Sequence, residues 1–463
     1  MLPHRISEFY IRTIQSRKEQ PIYAALNELR TQWFWDRRKI DQFKLERLNR
    51  LLKHAAEAVP YYKTLFQEHR VRLPLASLED LSRIPPLLRD NIRSAGDSIL
   101  ATNLPASSFL KRKTGGSTAE PLVVYQTPEY RVWSEASVRF SRELTGYTPG
   151  RSQMFVWGAP GDLAQRSSFR ARARETLMNS KVVDAFHIGA SEVIRTLDWM
   201  ERAHPHFLWA YAGAATQLAR AALVSKPGLF LTAAQITAEV LTPQARRLIS
   251  EAFHCPVFER YGSREVSVVS AECDQHEGMH ILETLNHVEI VDGEGRPAPE
   301  GTAGRILVTN LTNDALPHIR YEIGDLGTMS VAPCSCGCKT NRLSAIHGRI
   351  CDGIATPDGQ WIHGYFFLEM MLHVQGVEKL RLIQEQDGWS IRIELITGPT
   401  ADRPAIETGL TELIHRKGHQ KFMITFAYPE RMDPSASGKM EFIQSHYRSE
   451  GNPLGPPSPG PRS

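Results

Sequence analysis

Short apolar runs alternate with longer amphipathic runs in PHFLWAYAGAATQLARAAL (205–223), LFLTAAQIT (229–237), PQARRLISEAF (243–253) and PVFERYG (256–262). The alternation starts upstream, with SQMFVWG at 152–158. Short apolar runs are typical of buried strands, and amphipathic runs of this length are typical of helices that cover a sheet. The pattern therefore predicts α/β architecture with mixed sheets, mainly parallel central strands and flanking helices.

The segments on either side have different patterns. Residues 1–100 carry apolar residues at helical spacing, interrupted at Val59-Pro60. After residue 348 a turn, a helix-like run at 365–374, two strands, a helix and a last strand at 422–428 suggest a compact α+β unit. We predict a large N-terminal domain over 1–348, with a helical start at 1–100, and a small mobile C-terminal domain over 349–448. A disordered Pro-rich tail is expected over 449–463.

Composition excludes several classes of protein. A net charge of +4 over 463 residues is too small to favour nucleic-acid binding. The sequence contains no run of 18 apolar residues, so we predict no membrane-spanning helix. The N-terminus lacks the apolar core of a signal peptide. Three of the six cysteines lie within 334–338, which points to a metal or to reduced thiols, and hence to a cytoplasmic protein.

A loop with the chemistry of a phosphate site lies at KRKTGGSTAEP (111–121). Glycine allows backbone amides to approach a phosphate closely, and hydroxyl groups donate further hydrogen bonds. The loop is not a Walker A sequence, because no Gly-Lys-Ser/Thr follows at the required spacing. Taken alone, the same composition also fits a plain turn.

Four later segments follow this loop in order: YGSRE (261–265), YEIGD (321–325), RICD (349–352) and SGK (437–439). The set resembles the adenylate-forming superfamily of acyl-CoA synthetases, luciferases and peptide-synthetase adenylation domains. Within it the chain is most similar to the phenylacetate–CoA ligase family, and to the branch of capsular-polysaccharide-biosynthesis ligases. The YGSREV segment and the Cys-x-Cys pair carry this narrower resemblance, and the whole resemblance covers residues 100–445.

The resemblance implies an enzyme that uses ATP and Mg²⁺ to activate a carboxylic acid. The implied nucleotide-binding residues come from the phosphate loop and from YGSRE: Thr114, Gly115, Gly116, Ser117, Thr118, Tyr261, Gly262 and Ser263. Glu265 would bind Mg²⁺, a cation that prefers oxygen ligands. Glu239 would flank the adenine.

Further roles follow from the later segments. Asp325 would accept hydrogen bonds from both ribose hydroxyls, since a carboxylate matches a vicinal diol. Arg349 would contact the ribose or the α-phosphate, and Asp352 would mark the hinge between the domains. Lys439 would bridge the substrate carboxylate and the α-phosphate. The chain departs from the family at Ala119 and Ala238, where glycine is usual.

The cysteines and histidines predict a structural zinc site. Cys273 and His276 form a C-x2-H step, and Cys334 and Cys336 form a C-x-C step. We choose these four as ligands, with His280 and Cys338 as alternatives for His276 and Cys336. The resemblance instead assigns His280 to the substrate or nucleotide pocket.

The acyl pocket is predicted between about residues 130 and 265, where Trp133, Phe155, Trp157 and Tyr211 are candidates. These aromatic residues fit an aromatic or otherwise apolar acid, and they also fit a plain core. CoA is the acceptor that the resemblance implies, with a carrier-protein thiol or an amine as alternatives, and a homodimer is left open. The competing hypothesis is a catalytically degenerate nucleotide-binding scaffold of the same fold.

Overall fold

The computed structural model describes residues 2–113, 122–158, 169–185, 189–292, 295–349, 354–358, 360–362, 377–398, 401–430, 432 and 443–447. Several predictions lie outside the described residues, as does the side chain of Arg349: those for Thr114, Gly115, Gly116, Ser117, Thr118, Ala119, Asp352, Lys439, the 365–374 run and the tail. Of the described residues, one compact unit holds those up to 323 and 327–346. The other holds 324–326 and those from 347 onward.

The first hundred residues form helices: α1 (His4–Phe9), α2 (Ser16–Lys18), α3 (Gln20–Gln32), α4 (Arg37–Ala58), α5 (Pro60–Glu68) and α6 (Arg89–Ala95). A π-helical segment spans Tyr10–Gln15, and 3₁₀ turns span Glu79–Arg83, Gly96–Ile99 and Ala106–Ser108. The Asp36 side chain caps α4 by accepting from the amide of Lys39 at 2.8 Å. The helix ends before Pro60, which begins α5 at a position where no amide donor is needed.

An eleven-stranded mixed sheet, whose residues belong to the first unit except for 324–326 and 347–349, has the strand order β10-β11-β12-β13-β9-β8-β7-β6-β5-β3-β4. Its strands are β3 (Gln153–Trp157), β4 (Ser180–Asp184), β5 (Phe207–Tyr211), β6 (Ala233–Thr237), β7 (Val257–Ser263), β8 (Ser267–Glu272), β9 (Met279–Ile281), β10 (Asn286–Val291), β11 (Ala303–Asn310), β12 (Tyr321–Ser330) and β13 (Arg342–Arg349). A separate hairpin pairs β1 (Leu110–Lys113) with β2 (Val123–Gln126). The strands from β3 to β7 pair in parallel, which confirms the predicted α/β class.

Helices cover both faces of the parallel strands: α7 (Pro128–Glu143), α8 (Phe169–Leu177), α9 (Ala190–Ala203), α10 (Ala212–Ser225) and α11 (Pro243–Phe253). Even-numbered strand residues such as Leu208 and Ile236 join the core formed with α9, α10 and α11. On the opposite face, Gln235 donates to the backbone oxygen of Ser141 in α7 at 2.8 Å. Successive strand residues thus face different helical layers, as strand geometry requires.

The second unit contains a four-stranded sheet in the order β18-β17-β16-β19 and a short β14–β15 hairpin. Its elements are β14 (Ile354–Ala355), β15 (Trp361–Ile362), β16 (Val377–Gln384), β17 (Ser390–Thr397), α12 (Arg403–Leu413), β18 (Met423–Ala427) and β19 (Ile443–Ser445), with a π-helical turn at Ile414–Gly418. Strand β19 follows the strand that we predicted to be the last, and it pairs in parallel with β16. Within the described part of the chain, no helix has the length and hydropathy needed to cross a bilayer.

Candidate active site and metal cluster

The YGSRE segment lies where β7 turns back into β8. The two strands pair antiparallel, with an irregularity between Tyr261 and Gly262. A β-carbon at Gly262 would lie 2.1 Å from the backbone oxygen of Ser267, closer than any side chain can approach. Glycine is therefore required at this position, where β7 and β8 approach closely on either side of the turn that carries Glu265.

Glu265 is a buried carboxylate, exposed by only 2%. The Arg89 guanidinium lies 3.0 Å from its Oε1, and the Tyr321 hydroxyl donates to the same oxygen at 3.2 Å. Burial acts to raise the pKa of Glu265, but Arg89 and the Ser263 hydroxyl outweigh it, so the pKa falls below its usual value. Glu265 is thus an ionised oxygen donor held in one position. Arg89 was absent from our sequence predictions, because nothing in its local pattern marks it.

Asp325 lies on strand β12 rather than in a turn, and its side chain is partly buried. It follows Gly324, whose φ of +89° favours glycine. Asp325 belongs to the second compact unit. Its predicted contact with ribose stays a prediction.

Glu239 lies in the loop after β6, next to the start of α10. Its Oε2 accepts a hydrogen bond from the amide of Gly213 at 2.6 Å, which satisfies one of the free donors of that helix end. The preceding Ala238 has a φ of +70°, a conformation that favours glycine. The glycine usual in the family at this position therefore has a backbone reason, and the predicted contact of Glu239 with adenine stays a prediction.

The predicted aromatic residues separate into two places. Trp157 and Tyr211 lie at the carboxyl ends of β3 and β5, with ring centroids 4.8 Å apart. Phe155 lies two residues before Trp157 on β3, and its ring centroid is 6.4 Å from that of Trp209. Trp133 instead belongs to the core between α3 and α7, and the Arg47 guanidinium lies 4.8 Å from its ring centroid. The structure therefore corrects our placement of Trp133 in the acyl pocket.

The cysteine cluster brings together Cys273, Cys334, Cys336 and His280. Their candidate ligand atoms all lie within 4.8 Å of one another. The sulfurs of Cys273 and Cys334 are 3.8 Å apart, and the Cys336 sulfur is 3.3 Å from Nε2 of His280. A tetrahedral ion with zinc–sulfur bonds of about 2.3 Å places two sulfurs about 3.8 Å apart. The spacing fits zinc.

The imidazole in this cluster differs from the one that we chose. His276 lies outside it, with Nδ1 3.3 Å from Oε2 of Glu272 and its ring 4.6 Å from that of Phe258. It lines a cavity of about 550 Å³ together with Arg246, Glu259 and Glu272. A correction follows: His276 is replaced by His280, and His280 faces the thiols rather than an acyl or nucleotide pocket.

The surroundings of His280 hold its ring in a fixed orientation. Its Nδ1 lies 3.0 Å from the Thr340 hydroxyl, and its ring packs edge-on against Trp33 at 4.9 Å. Burial, and then Arg342, lower the pKa of His280 to about 4, so the imidazole is neutral at pH 7. Cys338 lies next to the cluster, with its sulfur 3.4 Å from the Thr340 hydroxyl, and its amide donates to the Cys336 sulfur at 3.4 Å.

Comparisons with known proteins find relatives among the phenylacetate–CoA ligases and CapK proteins. Residues 354–446 match the CapK C-terminal domain family. A phenylacetate-coenzyme A ligase from Thermus thermophilus is 29% identical over 326 residues, which are 68% of this chain and 72% of the relative. Protein CapK from Staphylococcus aureus is 23% identical over 62% of each chain, so the match spans less than two thirds of that relative.

The fold itself occurs in a solved 2-hydroxyisobutyryl-CoA ligase in the postadenylation state. The TM-score is 0.69 at 21% identity, covering 89% of this chain and 91% of that one. An open conformation of the same ligase, in complex with 2-HIB-AMP and CoA, gives a TM-score of 0.59 at 21% identity. At this level of identity the likeness is one of fold.

Proposed function

We propose that the chain is an ATP-dependent carboxylic acid ligase of the adenylate-forming superfamily, because it is similar to phenylacetate–CoA ligases, carries the CapK C-terminal domain and shares the fold of a CoA ligase. In the first half-reaction a carboxylate oxygen attacks the α-phosphorus of ATP, and pyrophosphate leaves. In the second, a thiolate attacks the acyl carbon, and AMP leaves. The acceptor that we propose is CoA, and the preferred acid is the subject of the next subsection.

One observation carries this proposal from the structure: the buried carboxylate of Glu265, at the turn that ends β7. Joining two anions requires fixed positive charge near the reacting atoms. A carboxylate that is ionised and held by Arg89 and Tyr321 can present an oxygen to a magnesium ion on the phosphates. The ion would neutralise charge that develops on the leaving pyrophosphate.

The other roles are proposed from the order of the motifs. Residues 114–118 would hold the departing pyrophosphate, and Asp325 would bind the ribose. Arg349 would contact the ribose or the α-phosphate, and Lys439 would bridge the two reacting groups. Asp352 would be the hinge about which the C-terminal residues move between the half-reactions.

We also propose a structural zinc ion bound by Cys273, Cys334, Cys336 and His280. Four protein ligands leave no open position for substrate, so the ion would hold the β8–β9 hairpin to the 334–340 loop. Zinc content of the purified protein, measured by atomic emission, should be about one ion per chain. His280→Ala should lose most of it, whereas the matched His276→Ala should keep it. Equal retention by both variants would reject this ligand set. The cytoplasmic location, where thiols stay reduced, remains a prediction.

The test of the ligase is ATP–pyrophosphate exchange with a panel of carboxylic acids. At least one acid should support exchange, and Glu265→Gln and Lys439→Ala should each reduce it by about 100-fold or more. Exchange no better than that of Lys439→Ala with any acid would favour a nucleotide-binding scaffold without turnover. Adding CoA, a carrier protein or an amine to the active mixture then identifies the acceptor by mass spectrometry, and gel filtration reports whether the chain dimerises.

A further inference from the structure

A row of side chains crosses four neighbouring parallel strands at their carboxyl ends. Tyr211 on β5 pairs in register with Thr237 on β6. Since Val156 pairs with Ala210, and Ile236 with Glu259, the next residues Trp157 and Arg260 extend this row on either side. Ligands of open α/β sheets bind beyond the carboxyl ends of the strands. The row therefore lies where a substrate of this fold would contact the sheet.

Arg260 is the cation of the row. Its guanidinium carbon lies 5.8 Å from the centroid of the Trp157 ring, a cation–π contact. Among the described residues, no carboxylate lies within 4.0 Å of its nitrogen atoms, in contrast to arginines that form ion pairs elsewhere in the chain, such as Arg246 and Arg320. Arg260 is thus a positive charge beside aromatic rings without an anionic partner in the described part of the chain.

A second guanidinium reinforces this charge. Arg142 of α7 lies 4.9 Å from the ring of Phe155 and 5.2 Å from that of Trp209. Its Nε is buried and has no hydrogen-bond partner. Burial, and then Arg142, lower the pKa of Arg260 to about 9. The positive charges of Arg142 and Arg260 therefore repel each other, and both guanidinium groups lie against aromatic rings.

A structural arginine in this chain looks different. Arg320 is 1% exposed, and its nitrogen atoms lie 3.0 Å from the Glu289 carboxylate and donate to the backbone oxygens of Ser82 and Ile84. A buried charge is costly unless it is paired and hydrogen-bonded. Arg320 meets that condition within the protein, whereas the half-buried Arg260 has, among the described residues, aromatic neighbours and a second cation but no carboxylate partner. A cation in this state is typical of a site that is completed by an anionic ligand.

We propose that Arg260 binds a second carboxylate on the acid substrate, so that the enzyme activates dicarboxylic acids in preference to monocarboxylic acids of the same skeleton. This inference rests on the proposed ligase activity. One carboxylate of the substrate reacts with ATP, and the other pairs with the guanidinium. The rings of Trp157 and Tyr211 contact the carbon skeleton between the two charged ends. Arg260 thereby changes our expectation of an apolar acid, which rested on the aromatic residues alone.

The test uses matched pairs of acids in the exchange assay, such as hexanoate with adipate and phenylacetate with 4-carboxyphenylacetate. The wild-type enzyme should show a kcat/KM at least 10-fold higher for the better dicarboxylic acid than for its monocarboxylic partner. Arg260→Met keeps the length of the side chain and removes its charge. It should lower kcat/KM for the dicarboxylic acid by about 100-fold, mainly through KM, and change the monocarboxylic acid less than threefold.

Two control variants separate recognition from folding. Arg260→Lys keeps the charge and should restore part of the preference, and Arg195→Met, at a surface arginine exposed by 70%, should leave both acids unchanged. An equal loss for both acids in Arg260→Met, or a wild-type preference for the monocarboxylic acid, would overturn the proposal.

A binding measurement keeps this result distinct from failure of the ligase itself. If no acid supports exchange, the proposed function fails, and calorimetric titration with the same acids still tests the site. Wild-type protein with a bound ATP analogue should bind adipate at least 10-fold more tightly than hexanoate, and Arg260→Met should abolish the difference. Equal binding of the two acids by the wild-type protein would refute the role of Arg260 without reference to catalysis.

Discussion

Replacing Glu283 with glutamine should destabilise the protein strongly at neutral pH and less in acid. Glu283 is 3% exposed, and its carboxylate lies 2.5 Å from Nζ of Lys44 and 2.5 Å from Nη1 of Arg37. It also accepts from the amide of Asn341 at 3.0 Å. These contacts join α4 to the segment that follows Cys338, next to the cluster of Cys273, Cys334, Cys336 and His280.

The magnitude follows from the pKa of Glu283. Burial acts to raise it, but Lys44 and Arg37 lower it from 4.5 to about 2. That fall corresponds to about 3 kcal/mol of unfolding free energy at pH 7. Because the folded-state pKa is depressed, this stability is complete above 4.5 and is lost as pH falls towards 2. At pH 3.5, about 2 kcal/mol should remain.

Urea unfolding of wild-type and Glu283→Gln protein at pH 7 and pH 3.5, both with a chelator present, measures this difference. The matched control is Glu192→Gln, because the Glu192 and Arg195 side chains of that pair are exposed by 35% and 70%. The control should change stability by less than about 0.5 kcal/mol. A cost below about 1 kcal/mol for Glu283→Gln at pH 7, or an equal cost at both pH values, would refute the reasoning.

Three further variants test the backbone at two positions and the cavity lined by His276 and Glu259. Ala238→Gly removes the strain of a φ of +70° and should stabilise the protein by about 1 kcal/mol in urea unfolding, whereas a loss of stability would contradict that reason. Gly262→Ala places a β-carbon 2.1 Å from the Ser267 oxygen and should lower both the Tm and the exchange rate, so unchanged activity would show that the crossing can relax. Burial, and then repulsion from Glu272, raise the pKa of Glu259 to about 7. The ionised carboxylate therefore lowers the free energy of unfolding, by an amount that is negligible below pH 4.5 and complete above pH 7. Glu259→Gln should therefore gain about 3 kcal/mol at pH 8 and almost nothing at pH 4, and equal gains at both pH values would exclude titration as the cause.

Several features could be predicted from the sequence because they depend on neighbours along the chain. The alternation of residues 205–262 predicted parallel strands and covering helices, since a strand and a helix have different apolar periods. Pro60 placed the break between α4 and α5, because proline lacks an amide donor. For Gly262 the sequence predicted nucleotide binding, whereas the close approach of the Ser267 backbone oxygen, which requires glycine there, was found only in the structure.

Only the tertiary structure decided which distant side chains meet. The C-x2-H spacing favoured His276, but β9 runs back antiparallel to β8 and pairs His280 with Ala271, two residues before Cys273. Arg89 reaches Glu265 across 176 positions of sequence. Trp133 packs between helices, although an aromatic side chain also suits a pocket. The charge of Arg260 was visible in PVFERYG, but its lack of a described carboxylate partner was not. Such partners depend on strand order and register, which local periodicity cannot specify because pairing joins residues far apart in the chain.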